Sequence, residues 1–123
     1  MSNYRNGGDL ERAAKKQLEA DGYFVMKSGG SKGPVDLLAM KPGETLFIQC
    51  KTRGAMPPAE RMALRMLAIR LGAVPLLCSW LKQGTAARVP WFVRLQLGGT
   101  EAWTADRAGE AAARADALID GGL

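Results

Sequence analysis

Three polar side chains, Asp36, Gln49 and Lys51, stand in the stretch "PVDLLAMKPGETLFIQCKT", residues 34 to 52, which is otherwise mostly apolar or turn-forming. Lys41-Pro42-Gly43-Glu44 separates its two apolar runs with Pro at the second and Gly at the third turn position. Folding the stretch about that turn sets Met40 opposite Thr45, Leu38 opposite Phe47 and Asp36 opposite Gln49. Opposed residues share one face of a sheet, with Cβ atoms about 4.5–5.5 Å apart. Lys51, two residues beyond Gln49, shares that face as well. The hairpin is therefore expected to gather a carboxylate, a carboxamide and an ammonium at one end of an apolar sheet.

A carboxylate and an amide carbonyl are hard oxygen donors of the kind that suit Mg²⁺ or Mn²⁺, ions that keep several waters and share phosphate oxygens. An ammonium beside them can orient a water or balance charge that develops on a phosphate. Metal-assisted phosphodiester hydrolysis fits this set. A strand-end Asp–Lys ion pair with Gln in a polar rim uses the same residues, so the hairpin alone leaves both readings open. Composition is more decisive about what is excluded. The chain has no histidine, which removes histidine acid–base and triad chemistry. Its two cysteines, Cys50 and Cys78, lie apart inside apolar runs and do not make a zinc site. Any catalysis must run on carboxylates and lysine, with or without a hard oxygen-bound metal.

The elements that would position these groups follow from periodicity. Residues 9 to 21, "DLERAAKKQLEAD", place Leu10, Ala14 and Leu18 at helical spacing, with Asn6 or Asp9 as a cap and Gly22 as a stop. "YFVMKS" (23 to 28) reads as a strand, followed by the glycine-rich loop "GGSKGP". The two runs of the hairpin, about 35 to 40 and 45 to 51, are strands. "PPAERMALRMLAIRLG" reads as a second helix, opened by Pro57-Pro58 and closed by Gly72. "VPLLCSW" and "PWFVRLQ" are further strands, with "LKQGTAARV" as a polar loop between them. Residues 98 to 123 are an alanine-rich tail, with a helix expected near 105 to 119. The central strands are apolar on both faces, which calls for an α/β fold with the sheet sandwiched between helices.

A chain of 123 residues supports a single domain. The division expected within it is a main body over 1 to 97 and the tail as part of the same unit. No apolar run approaches a membrane span and no signal-peptide core is visible. With two thiols read as reduced, a cytoplasmic location is expected, with no membrane partner. The net charge of +5 is uneven: residues 1 to 97 carry 15 Lys/Arg against 7 Asp/Glu, the tail 2 against 5. A basic body fits a polyanion, most simply nucleic acid, although a solvated basic surface has the same composition.

An Asp followed, about a dozen residues on, by x-x-Lys on the next strand is the pattern of PD-(D/E)xK nucleases. Here it sits inside "YRNGGDLERAAKKQLEADGYFVMKSGGSKGPVDLLAMKPGETLFIQCKT". That segment closely resembles the N-terminal half of archaeal-type Holliday junction resolvases. It shares the basic, glycine-bearing start, Glu-Arg early in the helix, the aromatic strand ending in a basic residue and Ser, and "GGSKGPVD". The likeness runs over residues 4 to 97 and is strongest up to 52. It implies a restriction-endonuclease-like mixed sheet flanked by helices and an endonuclease that cuts branched DNA. It also implies a metal-dependent site of Glu11, Asp36, Gln49 and Lys51, with Mg²⁺, or Mn²⁺ in its place, on Asp36, Gln49 and Glu11. Arg12, Lys27, Ser28, Ser31 and Lys32 match positions near phosphate. Such resolvases are two-fold dimers, and Leu67 and Leu71 match their dimer face. Arg61 and Arg65, four apart on the second helix, are either solvated charges or a row that tracks phosphates.

The sequence departs from the family in two places. Gln49 stands where Glu is usual, which removes a charge but keeps a carbonyl oxygen. "TRGAMPPA", between Lys51 and the second helix, is short. Two rival readings use the same residues: a non-catalytic branched-DNA-binding protein, and a repair or restriction-type endonuclease on plain duplex.

Overall fold

The computed structural model describes residues 3–29, 33–83 and 87–105. Its elements are α1 (Asn3–Ala20), β1 (Phe24–Lys27), β2 (Leu37–Lys41), β3 (Glu44–Cys50), α2 (Pro58–Leu71), β4 (Val74–Gln83), β5 (Ala87–Gln96) and β6 (Gly99–Trp103). The six strands form one sheet in chain order. Among the described strands only β3 and β4 run parallel, because α2 returns the chain across one face between them; every other neighbouring pair is antiparallel.

Strand alternation divides the core into two layers. Leu37, Ala39, Leu46, Ile48, Leu76 and Cys78 pack with the α1 stripe of Leu10, Ala14 and Leu18. The alternate residues Phe47 and Leu77 pack with Leu64 and Ala68 of α2. The two-sided cover expected from the apolar strands is therefore present over the centre of the sheet. It is incomplete at β1 and β2, where Phe24, Met26 and Met40 are 63%, 51% and 37% exposed on the side opposite α1.

The hairpin turn follows its residue types. Lys41 pairs with Glu44, and Gly43 takes φ 79°, the positive value that the third position of a type II turn requires. Met40↔Thr45 and Leu38↔Phe47 hold as the turn dictates. The second helix opens on Pro58 and closes at Gly72, whose left-handed φ of 71° lets its amide reach the Ala68 and Ile69 carbonyls.

Three expectations are corrected. The first helix begins at Asn3, six residues before Asp9, and Asp9 lies within it, paired with Arg12 one turn on; a helix running through Gly7-Gly8 contradicts propensity, and nothing in the described contacts explains it. The segment "LKQGTAARV" is largely two strand ends, with Leu81↔Val89 and Lys82↔Arg88 extending the β4–β5 ladder. The tail contributes a sixth strand that was not anticipated: Leu97-Gly98 turns the chain, Gly98 at φ 81°, and β6 pairs with β5 from Gln96↔Gly99 to Phe92↔Trp103. The sheet thus continues past residue 97, and Trp103 packs edge-on against Phe92 with ring centroids 5.6 Å apart. The helix expected at 105 to 119 lies, beyond Ala105, outside the described residues. Among the described residues, no helix is long and apolar enough to cross a membrane.

Leu10 is fully buried one residue before Glu11, so its packing fixes where that acid stands. Leu10→Ala should cost about 2–5 kcal/mol, measured as a lower urea midpoint at unchanged slope. A midpoint equal to the parent's would show that this end of α1 carries no core load.

Candidate active site

The ladder between β2 and β3 ends at Leu37↔Ile48. One residue earlier, the Asp36 amide donates to the Ile48 carbonyl at 2.8 Å. Asp36 and Leu37 therefore both lie against Ile48, which is a bulge. The expected pairing of Asp36 with Gln49 is corrected by one residue, because the bulge turns the carboxylate along β3. Its Oδ2 accepts the Cys50 amide at 2.8 Å, and its carbonyl accepts the Ser28 amide at 2.9 Å. Three backbone partners hold one residue.

Asp36 is the buried charged residue of the described core, 7% exposed. Burial pushes its carboxyl above the ordinary carboxylate range, while the Cys50 N–H opposes that rise. The charges of Glu11 and Glu60 push it up further, and Lys51 pulls it down. Four chain segments thus meet electrostatically at Asp36: α1, β2, the end of β3 and the first turn of α2.

The other expected residues sit around it. Lys51 follows β3, its amide donating to the Cys78 carbonyl at 2.9 Å; its Nζ lies 2.9 Å from Glu60 Oε1. Glu11 pairs with Lys27 at 3.2 Å. The Gln49 Oε1 is buried and has no hydrogen-bond partner among the described residues. Glu60 was missed in the sequence, yet a signal was there. A helix that follows a strand in a parallel crossover starts near that strand's carboxyl end, so an acid in the first turn of α2 falls close to Lys51.

Comparison with known proteins meets this geometry from another side. The family model "Archaeal holliday junction resolvase (hjc)" matches residues 2–112. The chain belongs to this family. It is 51% identical over 49 residues to "Crossover junction endodeoxyribonuclease Hjc" of Methanocaldococcus jannaschii, a match that spans 40% of this chain and 36% of that protein. Its structure resembles that of Archaeoglobus fulgidus Hjc, a Holliday junction resolvase, with TM-score 0.59 and 25% identity over 79% of this chain and 80% of the other. The mixed sheet flanked by helices is thus the resolvase fold, which is restriction-endonuclease-like.

Within that family frame, the phosphate-contact candidates separate. Lys27 ends β1 and pairs with Glu11, Ser28 follows it against Asp36, and Arg12 is exposed on α1 beside Asp9. Ser31 and Lys32 lie outside the described residues. Arg61 and Arg65 sit on another side of α2, lining a hollow of about 310 Å³ with Gln96 and Leu97. The Arg61 guanidinium donates to the Gly99 carbonyl at 2.9 Å, so it ties α2 to β6. Of the dimer-face candidates, Leu67 is partly buried against the α2 layer, whereas Leu71 is 59% exposed.

The residues present fit a hard divalent ion. Among the described residues, no three Asp, Glu, Cys or His side chains are grouped as a ready-made metal site. Mg²⁺ commonly takes one or two carboxylates and completes its shell with water and phosphate. Asp36 has Oδ1 left after Cys50 takes Oδ2, and the orphaned Gln49 Oε1 is an acceptor in want of a partner.

Asp36→Asn should raise the melting temperature at neutral pH while abolishing cleavage. Because the folded carboxyl titrates above its unfolded value, its ionised form costs stability above that range. The gain should shrink as the pH falls and the native carboxyl becomes protonated. A lower melting temperature at pH 7 would contradict the electrostatic picture of this site.

Proposed function

We propose that the chain is a divalent-metal-dependent endonuclease that cuts four-way DNA junctions as a homodimer. The observation that carries this reading is the buried Asp36, held by three backbone partners, within electrostatic reach of Lys51 and Glu11. Asp36 and Gln49 would hold Mg²⁺ or Mn²⁺, with Glu11 joining directly or through water. The ion, when bound, supplies positive charge that polarises the phosphodiester. Lys51 orients the attacking water and balances charge on the phosphate. Arg12, Lys27, Ser28, Ser31 and Lys32 take the DNA backbone, giving affinity without base readout. Two free thiols fit a reducing, cytoplasmic setting.

The dimer reading rests on apolar surface. Leu71 of α2 is exposed, and so are Phe24, Met26 and Met40 on the part of the sheet that the helix leaves uncovered. A two-fold assembly offers one basic site per subunit to two arms of a junction, and the second contact becomes intramolecular. That can raise avidity by roughly 10²–10⁴ when the geometry fits. A non-catalytic junction-binding protein is the second reading, and the neutral Gln49 in place of the usual acid favours it.

The test is incubation of purified protein and Mg²⁺ with labelled four-way junction and, separately, linear duplex. Paired cuts in the junction alone support the proposal. Equal cleavage of both substrates supports a duplex endonuclease, and binding without cleavage supports the second reading. Lys51→Ala should lower the cleavage rate by about 10²–10³-fold with junction binding retained; a parental rate would remove Lys51 from the site. Leu67→Asp combined with Leu71→Asp should yield a folded monomer by light scattering, because charge in an apolar contact is costly. An unchanged dimer would place the interface elsewhere.

A further inference from the structure

Glu60 is the site's unclaimed carboxylate. It lies in the first turn of α2, its side chain 43% exposed, with Oε1 2.9 Å from the Lys51 Nζ. The reading of this region as a metal-dependent nuclease site leaves a charge problem that Glu60 answers. Lys27 and Lys51 bring two ammonium groups, and Glu11 and Asp36 bring two carboxylates. Position 49 is a neutral amide. Without Glu60 those charges cancel, and a divalent cation would enter a neutral site beside an ammonium. With Glu60 there are three carboxylates against two ammonium groups.

We propose that Glu60 is a positioning residue that takes over the electrostatic task of the missing acid at position 49. It does so through Lys51: the 2.9 Å pair offsets the ammonium that would otherwise oppose the cation. The same pair fixes the Nζ close to the end of β3. Glu60 also adds negative charge within electrostatic reach of Asp36. The orphaned Gln49 Oε1 then needs to supply only a neutral oxygen. The labour is divided between two elements, with the donor atom on β3 and the charge on α2. Partners that orient or balance residues at a metal site typically change metal affinity by roughly 10–100-fold when removed.

The inference rests on the metal-dependent reading, so the experiment separates the two. Mn²⁺ binding to the full chain, without DNA, is measured by the loss of the free-ion electron paramagnetic resonance signal. The proteins compared are the parent, Glu60→Gln, Gln49→Glu and the double variant. Cleavage, junction affinity and melting temperature are recorded for each. Glu60→Gln should weaken Mn²⁺ binding by roughly 10–100-fold, with junction affinity and melting temperature unchanged. Adding Gln49→Glu to it should restore both Mn²⁺ binding and cleavage, because a charge returns to the strand. Parental Mn²⁺ affinity in Glu60→Gln would overturn the inference while leaving the nuclease reading intact. A loss that Gln49→Glu fails to restore would also overturn it, by showing that the two positions do not share a task. A parent that neither binds Mn²⁺ nor cuts would overturn the nuclease reading and this inference with it.

Discussion

Placing a carboxylate in the core is expensive, and the end of β2 is built around making one tolerable. Asp36 donates its amide to Ile48, accepts the Ser28 amide at its carbonyl and accepts the Cys50 amide at its side chain. These bonds stitch β1, β2 and β3 together where their regular ladders stop. The bulge that results aims a charged oxygen along the strand end rather than across to Gln49. Burial and the nearby acids of α1 and α2 then hold the carboxyl above its usual range. A group destabilised in this way gains from a cation or a proton, which is the condition a metal ligand needs.

The rest of the fold supplies the neighbours of that carboxylate. Leu10, Ala14 and Leu18 seat α1 on one face of the sheet and so carry Glu11 to the site. On the other face, the parallel crossover from β3 to β4 brings the start of α2 beside Lys51. Cys50 and Cys78 lie side by side across those parallel strands, so the segment bearing Gln49 and Lys51 is flanked by core on the β4 side. The site is thus the meeting point of two packing layers with opposite helices.

Much of this was legible in the sequence because turn chemistry and alternation are local. Pro42-Gly43 fixed the register from Lys41 to Leu38, and the α1 stripe and the ends of α2 followed from spacing and Pro/Gly punctuation. The errors share a cause. The bulge at Asp36 is set by bonds to Ile48 and Cys50, which no local pattern encodes. The last strand, "GTEAW", has too few apolar residues to register as a strand until β5 lies beside it. The polar strand ends at 81–83 and 87–89 likewise take their shape from cross-strand pairing. Turn and alternation singled out Asp36, Gln49 and Lys51, the resemblance to resolvases added Glu11, and Glu60 needed the topology. Arg61 is a further case: its four-residue spacing with Arg65 left solvated charge and phosphate contact open, and the carbonyl on β6 that its guanidinium meets lies beyond any local pattern.

The most direct measurement is a crystal of the parent protein soaked in Mn²⁺, with the ion located by its anomalous scattering. An ion liganded by Asp36 Oδ1 and Gln49 Oε1, with Lys51 still held by Glu60, is the result expected of a metal-dependent nuclease site built on the Asp36 bulge. An ion bound elsewhere, with the Gln49 carboxamide turned away from it, would contradict that site. So would no bound ion at a Mn²⁺ concentration that supports cleavage in solution.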